Sequence, residues 1–315
     1  MIQVLLVLWL AMAMMIVFER KIAKIIIFFG IFSLITSFCF LLLGSPDVAM
    51  AEAAVSVFTT IFFVVCFEKY HNLGVDKTTE PPPKLKVLTF LKTYTLPLVF
   101  SGFLFMLFLY FIPEYTVNTY LKTQYIAMFA RDVGGENVVT AIYLGYRVYD
   151  TLFEALILVV SVIAVSHMSW YEGVSVKDDT DVEIDGTEMA IFTLRIVCPL
   201  LLIFGIYLIA NGQLTPGGGF QGGVVIATFF ICRYLIYDIY DIRIGRIIRI
   251  EELVFAVTTL LAVFIVFLGA SAYMPANYLT IFQDVYLVLM NALIGMKVAC
   301  AFFIIFYRYI GIERK

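Results

Sequence analysis

Nine stretches of this 315-residue sequence, near 2–18, 25–43, 48–67, 93–112, 151–168, 189–211, 218–237, 253–272 and 284–307, are apolar over about 17 residues or more. A helix rising about 1.5 Å per residue makes such a run comparable to a hydrocarbon core of about 30 Å. Lipid offers backbone N–H and C=O groups no partners, so chains cross it as helices or closed barrels, and the alternating pattern of a barrel strand is missing from these runs. The expected fold class is therefore all-α, a polytopic transmembrane helical bundle of about nine spans. With 63% hydrophobic and only 14% charged residues, the chain does not read as a soluble enzyme. Its net charge of −3 provides no basic field for nucleic acid, so partners are expected in the lipid bilayer.

The basic residues between these runs orient the chain. Arg20, Lys21, Lys24, Lys69, Lys77, Lys84, Lys86, Lys92, Lys177, Arg243, Arg246, Arg249, Arg308, Arg314 and Lys315 collect on one side, against mainly Lys122, Arg131 and Arg147 on the other. This places the N-terminus outside and the C-terminus in the cytoplasm. Two polar stretches, His71 to Lys86 with its Pro81-Pro82-Pro83 stiffener and the acidic run from Tyr171 to Glu188, mark three blocks. The expected blocks are 1–86 with three spans, 87–188 with two and 189–315 with four. The segment before Glu19-Arg20-Lys21 has neither a basic start nor a small-residue cleavage site, and reads as a retained anchor.

No metal site is expected. Cys39, Cys66, Cys198, Cys232 and Cys300 all sit in apolar runs without metal or disulfide spacing, and His71 and His167 are too few for zinc or haem. The chemistry open to the chain rests on charges inside apolar helices. Asp47, in Ser45-Pro46-Asp47, suits a helix start, where proline fits the first turn and a carboxylate complements the dipole. Glu52 lies a turn and a half further in, where an acid needs a wet or paired interior. Arg147, Asp150 and Glu154 recur at i, i+3 and i+7 on one helical face. They form either an interfacial ion-pair ladder or, for Glu154, a buried protonatable group.

Arg195 lies four residues before Pro199, close to the carbonyl that a proline frees, or it snorkels to the surface. Lys297, about midway along the last run, needs a carboxylate or water, either in a hydrated path or in an ion pair with a neighbouring subunit. Pro216-Gly217-Gly218-Gly219-Phe220-Gln221-Gly222-Gly223 carries two small-xxx-small pairs, Gly218/Gly222 and Gly219/Gly223, that favour close helix packing. An anion at the glycine-rich helix start is the weaker reading, because no Walker lysine follows.

The run Arg195, Pro199, Gly205, Tyr207, Gly212 and Thr215 to Gly223 resembles the B subunit of Mrp-type multisubunit Na⁺/H⁺ antiporters and its counterpart in membrane-bound hydrogenases. The stretches Asp47 to Glu52 and Arg147 to Glu154 resemble two patterns of the C-terminal part of the Mrp A subunit, which hydrogenase complexes carry as two small subunits. The resemblance implies a three-unit fusion: an accessory subunit of a complex I-related cation/proton module in the cytoplasmic membrane of a prokaryote. Glu52 and Glu154 would lie on an acidic path for Na⁺ or H⁺, with Asp47, Asp150, Arg147, Arg195 and Lys297 as further ion-translocation candidates. Partners would be the other membrane subunits of such a complex. No cofactor is expected in this chain, and iron–sulfur and nickel–iron centres would sit in partner subunits if the assembly is a hydrogenase. Gln213 stands where the family often has His, and Val148 and Phe153 replace small residues. Glu52 favours the hydrogenase-type pattern, hence a redox-driven complex. A scaffold that conducts nothing and a subunit of a stand-alone Mrp antiporter are the alternatives.

Overall fold

A computed structural model describes residues 2–72, 86–110, 119–168, 188–236, 244–270 and 276–310. The described residues form α1 (Ile2–Phe18), α2 (Ile22–Leu42), α3 (Pro46–Asn72), α4 (Lys86–Tyr110), α5 (Tyr120–Asp132), α6 (Val138–Ala141), a π-helical turn (Ile142–Tyr146), α7 (Val148–Met168), α8 (Glu188–Asn211), α9 (Gly219–Ile236), α10 (Ile244–Ala270) and α11 (Ala276–Ile310). Among them there is no strand. The nine apolar runs coincide with α1–α4 and α7–α11. The polyproline stretch, the acidic run from Asp178 to Asp185, and Arg243, Arg314 and Lys315 lie outside the described residues.

Five of the helices are long and apolar enough to cross a membrane, over 22–42, 46–67, 148–167, 191–211 and 283–309, among the described residues. Helix α1 and the described parts 98–110 of α4 and 219–233 of α9 are further apolar stretches, each shorter than these five. The chain is a multi-pass membrane protein.

Helix boundaries follow local chemistry. Gly44 adopts φ +74° past the end of α2, and the N–H of Ser45 returns to Phe40 O at 3.0 Å, closing the helix with a left-handed turn. Pro46 and Asp47 then start α3, proline in the first turn where its missing N–H costs nothing. Between α1 and α2, Glu19 accepts from the N–H groups of Lys21 and Arg20 at 3.1 and 2.9 Å. These backbone donors, with the Lys24 ammonium 3.6 Å away, hold the Glu19 carboxyl below the usual carboxylate range.

The centre is made by α9 and α11. Helix α9 packs on α8, α11 and α3, and α11 packs on α10 and α7 as well. Met290, Asn291, Leu287, Ile304 and Phe306 of α11 are fully enclosed. Phe58 of α3 meets Phe302 of α11 edge-on at 4.6 Å, joining the first segment to the last. The sequence pattern does not disclose α5, which is short and mixed in character, or the π turn.

Candidate functional site

Lys297 carries the deepest charge, and its partner is Glu251. Nζ donates to Oε1 at 2.7 Å, with the two side chains 0% and 1% exposed. The ammonium also lies 5.3 Å from the centre of the Phe255 ring, one turn further along α10, a cation–π distance. Sequence reasoning misses Glu251, because it stands ahead of the apolar run at 253–272. The signal that could have found it is spacing: Glu251, Val254, Thr258 and Ala262 are all buried and fall three or four residues apart, on one face of α10. Its neighbour Glu252 is exposed.

Lys297 also lines a crevice with Thr151, Glu154, Ala155 and Leu158 of α7, Phe220 of α9, and Ile294 and Val298 of α11. The enclosed part has room for about one water molecule. Glu154 stands at its mouth, on the exposed side of α7. Arg147 does not extend to it: the guanidinium pairs with Asp150 at 2.5 Å, both side chains more than half exposed. The i, i+3, i+7 series thus divides into a surface pair and a separate carboxylate facing the crevice.

Asp47 is 9% exposed, and its Oδ1 accepts from Asn137 Nδ2 at 3.1 Å and from the Gly217 N–H at 3.0 Å. Asn137 also donates to Gly212 O and Thr215 O, while its side-chain oxygen caps α6 by accepting from Val139 N–H at 2.9 Å. Thr140 donates to Gly212 O at 2.5 Å. Asn291 Oδ1 accepts from the Tyr143 hydroxyl and from Gly219 N–H, each at 3.0 Å. Two carbonyls of the π turn accept from hydroxyls: Thr151 donates to Tyr143 O at 2.6 Å and Tyr286 to Leu144 O at 2.9 Å. Asp47, the π turn and the glycine segment therefore meet in one hydrogen-bonded joint.

The glycines let that joint close. Gly217 has φ +131°, a conformation L side chains rarely adopt. A Cβ on Gly222 would lie 2.7 Å from Gly205 O of α8, and one on Gly223 would lie 2.6 Å from Gly295 O of α11. Pro216 is exposed at the entrance, and Gly218 and Gly219 are buried against Tyr143 and Asn291. Glu52 accepts a hydrogen bond from the Ser33 hydroxyl of α2. Arg195 is on the exposed side of α8 and meets no carboxylate among the described residues.

Comparison with known proteins places this geometry. Residues 189–304 match the domain related to the MnhB subunit of Na⁺/H⁺ antiporters, and residues 7–72 match the MbhD family of MBH subunits. Two separate stretches of the chain are thus similar to an MnhB-related domain and to an MbhD subunit. Putative antiporter subunit mnhA2 of Staphylococcus aureus, in strains JH9 and USA300 among others, is 24% identical over 165 residues, 52% of this chain and 20% of that protein. The chain thus spans about a fifth of the curated relatives it matches. Its fold is similar to that of the Mrp complex from Dietzia sp. DQ12-45-1b, with TM-score 0.74 and 18% identity over 99% of this chain and 35% of that one. The membrane-bound sulfane sulfur reductase, an archaeal respiratory membrane complex, has a chain with TM-score 0.52 and 25% identity, covering 68% of this chain and 94% of that one.

Asp47 and Glu52 fall inside the MbhD match, while Glu251, Lys297, Arg195 and the glycine segment fall inside the MnhB-related match. Arg147, Asp150 and Glu154 lie between the two. The crevice therefore joins Glu154 of the connecting stretch to Lys297 of the MnhB-related domain.

Proposed function

We propose that this chain is an accessory membrane subunit of a multisubunit Na⁺/H⁺ antiporter module, contributing carboxylates to cation and proton translocation. The bundle then has about nine spans, with the N-terminus outside and the C-terminus in the cytoplasm. The blocks 1–86, 87–188 and 189–315 act as fused units alongside other membrane subunits in a prokaryotic cytoplasmic membrane. The module belongs to a redox-driven, complex I-related assembly of the membrane-bound hydrogenase type. Na⁺ and H⁺ are its cargo, and metal and iron–sulfur centres reside in its partners.

The observation that carries this reading is the crevice, which Glu154 of α7 lines together with a fully enclosed lysine. A carboxylate on a helix long and apolar enough to cross a membrane is expensive unless water, an ion or a counter-charge reaches it. Glu154→Gln is expected to abolish or strongly reduce Na⁺-dependent H⁺ movement by the reconstituted complex while the tagged chain still co-purifies with its partners. Unchanged ion movement in the assembled complex would refute the reading.

A scaffold role is the second reading, favoured by Asp47, whose carboxylate is engaged in a backbone joint. It predicts that substitutions change assembly but never transport alone. Mass spectrometry and metal analysis of the complex from mild detergent separate the assemblies: nickel with iron indicates a hydrogenase, flavin another reductase, and neither a stand-alone Mrp antiporter.

A further inference from the structure

Helices α8 and α9 touch almost backbone to backbone, and the glycines between them fix the register. A Cβ on Gly212 would lie 2.7 Å from Gly218 Cα, one on Gly222 would lie 3.2 Å from Ile209 N, and one on Gly205 would lie 3.4 Å from Ile226 N. The meeting residues step back along α8 as they step forward along α9, so the two helices run antiparallel. Seven residues back from Gly205 is Cys198, and six on from Ile226 is Cys232, each a rise of about 10 Å from that contact. The same steps therefore bring the two cysteines level. Both also face inward: Cys198, Gly205 and Leu208 are buried and fall seven and three residues apart on α8, while Gly222, Val225 and Cys232 are buried and fall three and seven apart on α9. The two thiols are hydrogen-bonded to each other across the interface. No spacing in the sequence announces this pair, because the register that makes it is set by the glycines.

We propose that Cys198 and Cys232 form a dithiol modification site, oxidised by a peroxide to a disulfide that ties α8 to α9 and released by a thiol reductant. Cys198 is the more open of the two, 6% exposed against 1%. Arg233, the exposed neighbour of Cys232, brings a guanidinium charge within reach of the Cys198 sulfur, where a cation offsets the charge of the attacking thiolate. That thiolate attacks one peroxide oxygen: an S–O bond forms, the O–O bond breaks, and the leaving hydroxide departs as water with the proton of the thiol. The Cys232 thiol then attacks the sulfur of the Cys198 sulfenic acid: the S–S bond forms, the S–O bond breaks, and a second water carries off the remaining proton. The two thiols lose two electrons together, and one peroxide gains them. The disulfide closes a loop that contains the glycine segment, which restricts the unfolded chain and braces the Asp47 joint from the far end of the same two helices. Nothing in this inference requires an ion to move, so it stands or falls apart from the antiporter reading.

The test uses the whole complex, purified in mild detergent through a tag on this chain, reduced, and then exposed to hydrogen peroxide. Thiols left free are alkylated in denaturant, and the unreduced peptides are read by mass spectrometry. The expected product is a peptide of α8 joined to one of α9 through Cys198 and Cys232, and dithiothreitol should return it to two separately alkylated peptides. The thermal midpoint of the complex should rise on oxidation and fall back on reduction. Cys198→Ala or Cys232→Ala, either alone, should lose both the link and the rise, while Cys39→Ala keeps both.

Full alkylation of both cysteines after peroxide, or oxidation of each to its own sulfinic acid without a link, overturns the site. A link that leaves the midpoint unmoved overturns the tie between the helices, and so does an equal rise in Cys198→Ala, which would assign the effect to another group.

Discussion

The first and last segments of the chain both place acids inside apolar helices, but they satisfy them differently. In α1–α3, the Glu52 carboxylate meets one hydroxyl from the adjacent helix and remains partly exposed. In α8–α11, Glu251 meets a full counter-charge and both groups are enclosed. The packing explains the contrast. Helix α1 has no buried residue, so the first segment is a thin layer in which α2 packs on α1 and α3, and α3 makes the main contact with α9. The last segment, together with α7, surrounds α11 on several sides and isolates the ion pair from solvent. A thin layer can host a charge only at a joint or at a surface; a surrounded helix can host one anywhere along its length.

The most direct way to break this contrast is to unpair the enclosed charges. Lys297→Met leaves Glu251 without a counter-charge in a dry core, and breaking a buried pair costs about 3–5 kcal/mol. The expected outcome is a marked loss of the chain from membranes, read by immunoblot, or a sharp fall in the thermal midpoint of the purified complex. Asp47→Ala comes next. It leaves the Gly217 N–H unpaired at the joint, while Asn137 keeps Gly212 O and Thr215 O as acceptors, and a stranded buried donor costs about 1–3 kcal/mol. Limited proteolysis should then cut near residues 212–217 faster than in the parent chain, because that segment loses its tie to α3.

Much of this was legible in the sequence, for reasons the structure makes explicit. Long apolar runs can only be helices in lipid, so α1–α4 and α7–α11 followed from composition and length. The glycines that bring α8, α9 and α11 together stood out because they repeat every four residues. What stayed hidden depended on tertiary context. The π turn at 142–146 is held by hydroxyls of Thr151 and Tyr286, the latter more than a hundred residues away in the chain. Asn137 and Asn291 look like ordinary polar residues until the helices bring them to Asp47, Tyr143 and Gly219. Glu251 was masked by its basic neighbours Arg246 and Arg249, which made the start of α10 read as a surface, although its buried face begins at Ile244.

The smallest effect is expected at Glu52, and it sharpens the comparison. Its carboxylate accepts from the Ser33 hydroxyl, and a glutamine at the same place can accept that bond through its amide oxygen. No ammonium or guanidinium is stranded by the change among the described residues, because none pairs with Glu52. Glu52→Gln should therefore shift the stability of the complex by less than about 1 kcal/mol, the scale of one neutral hydrogen bond, leaving its thermal midpoint nearly in place. If Glu52 carries ions, movement falls while that midpoint holds. If both fall together by an amount comparable to Lys297→Met, the first segment encloses its acid as tightly as the last, and the distinction between a thin layer and a surrounded helix is wrong.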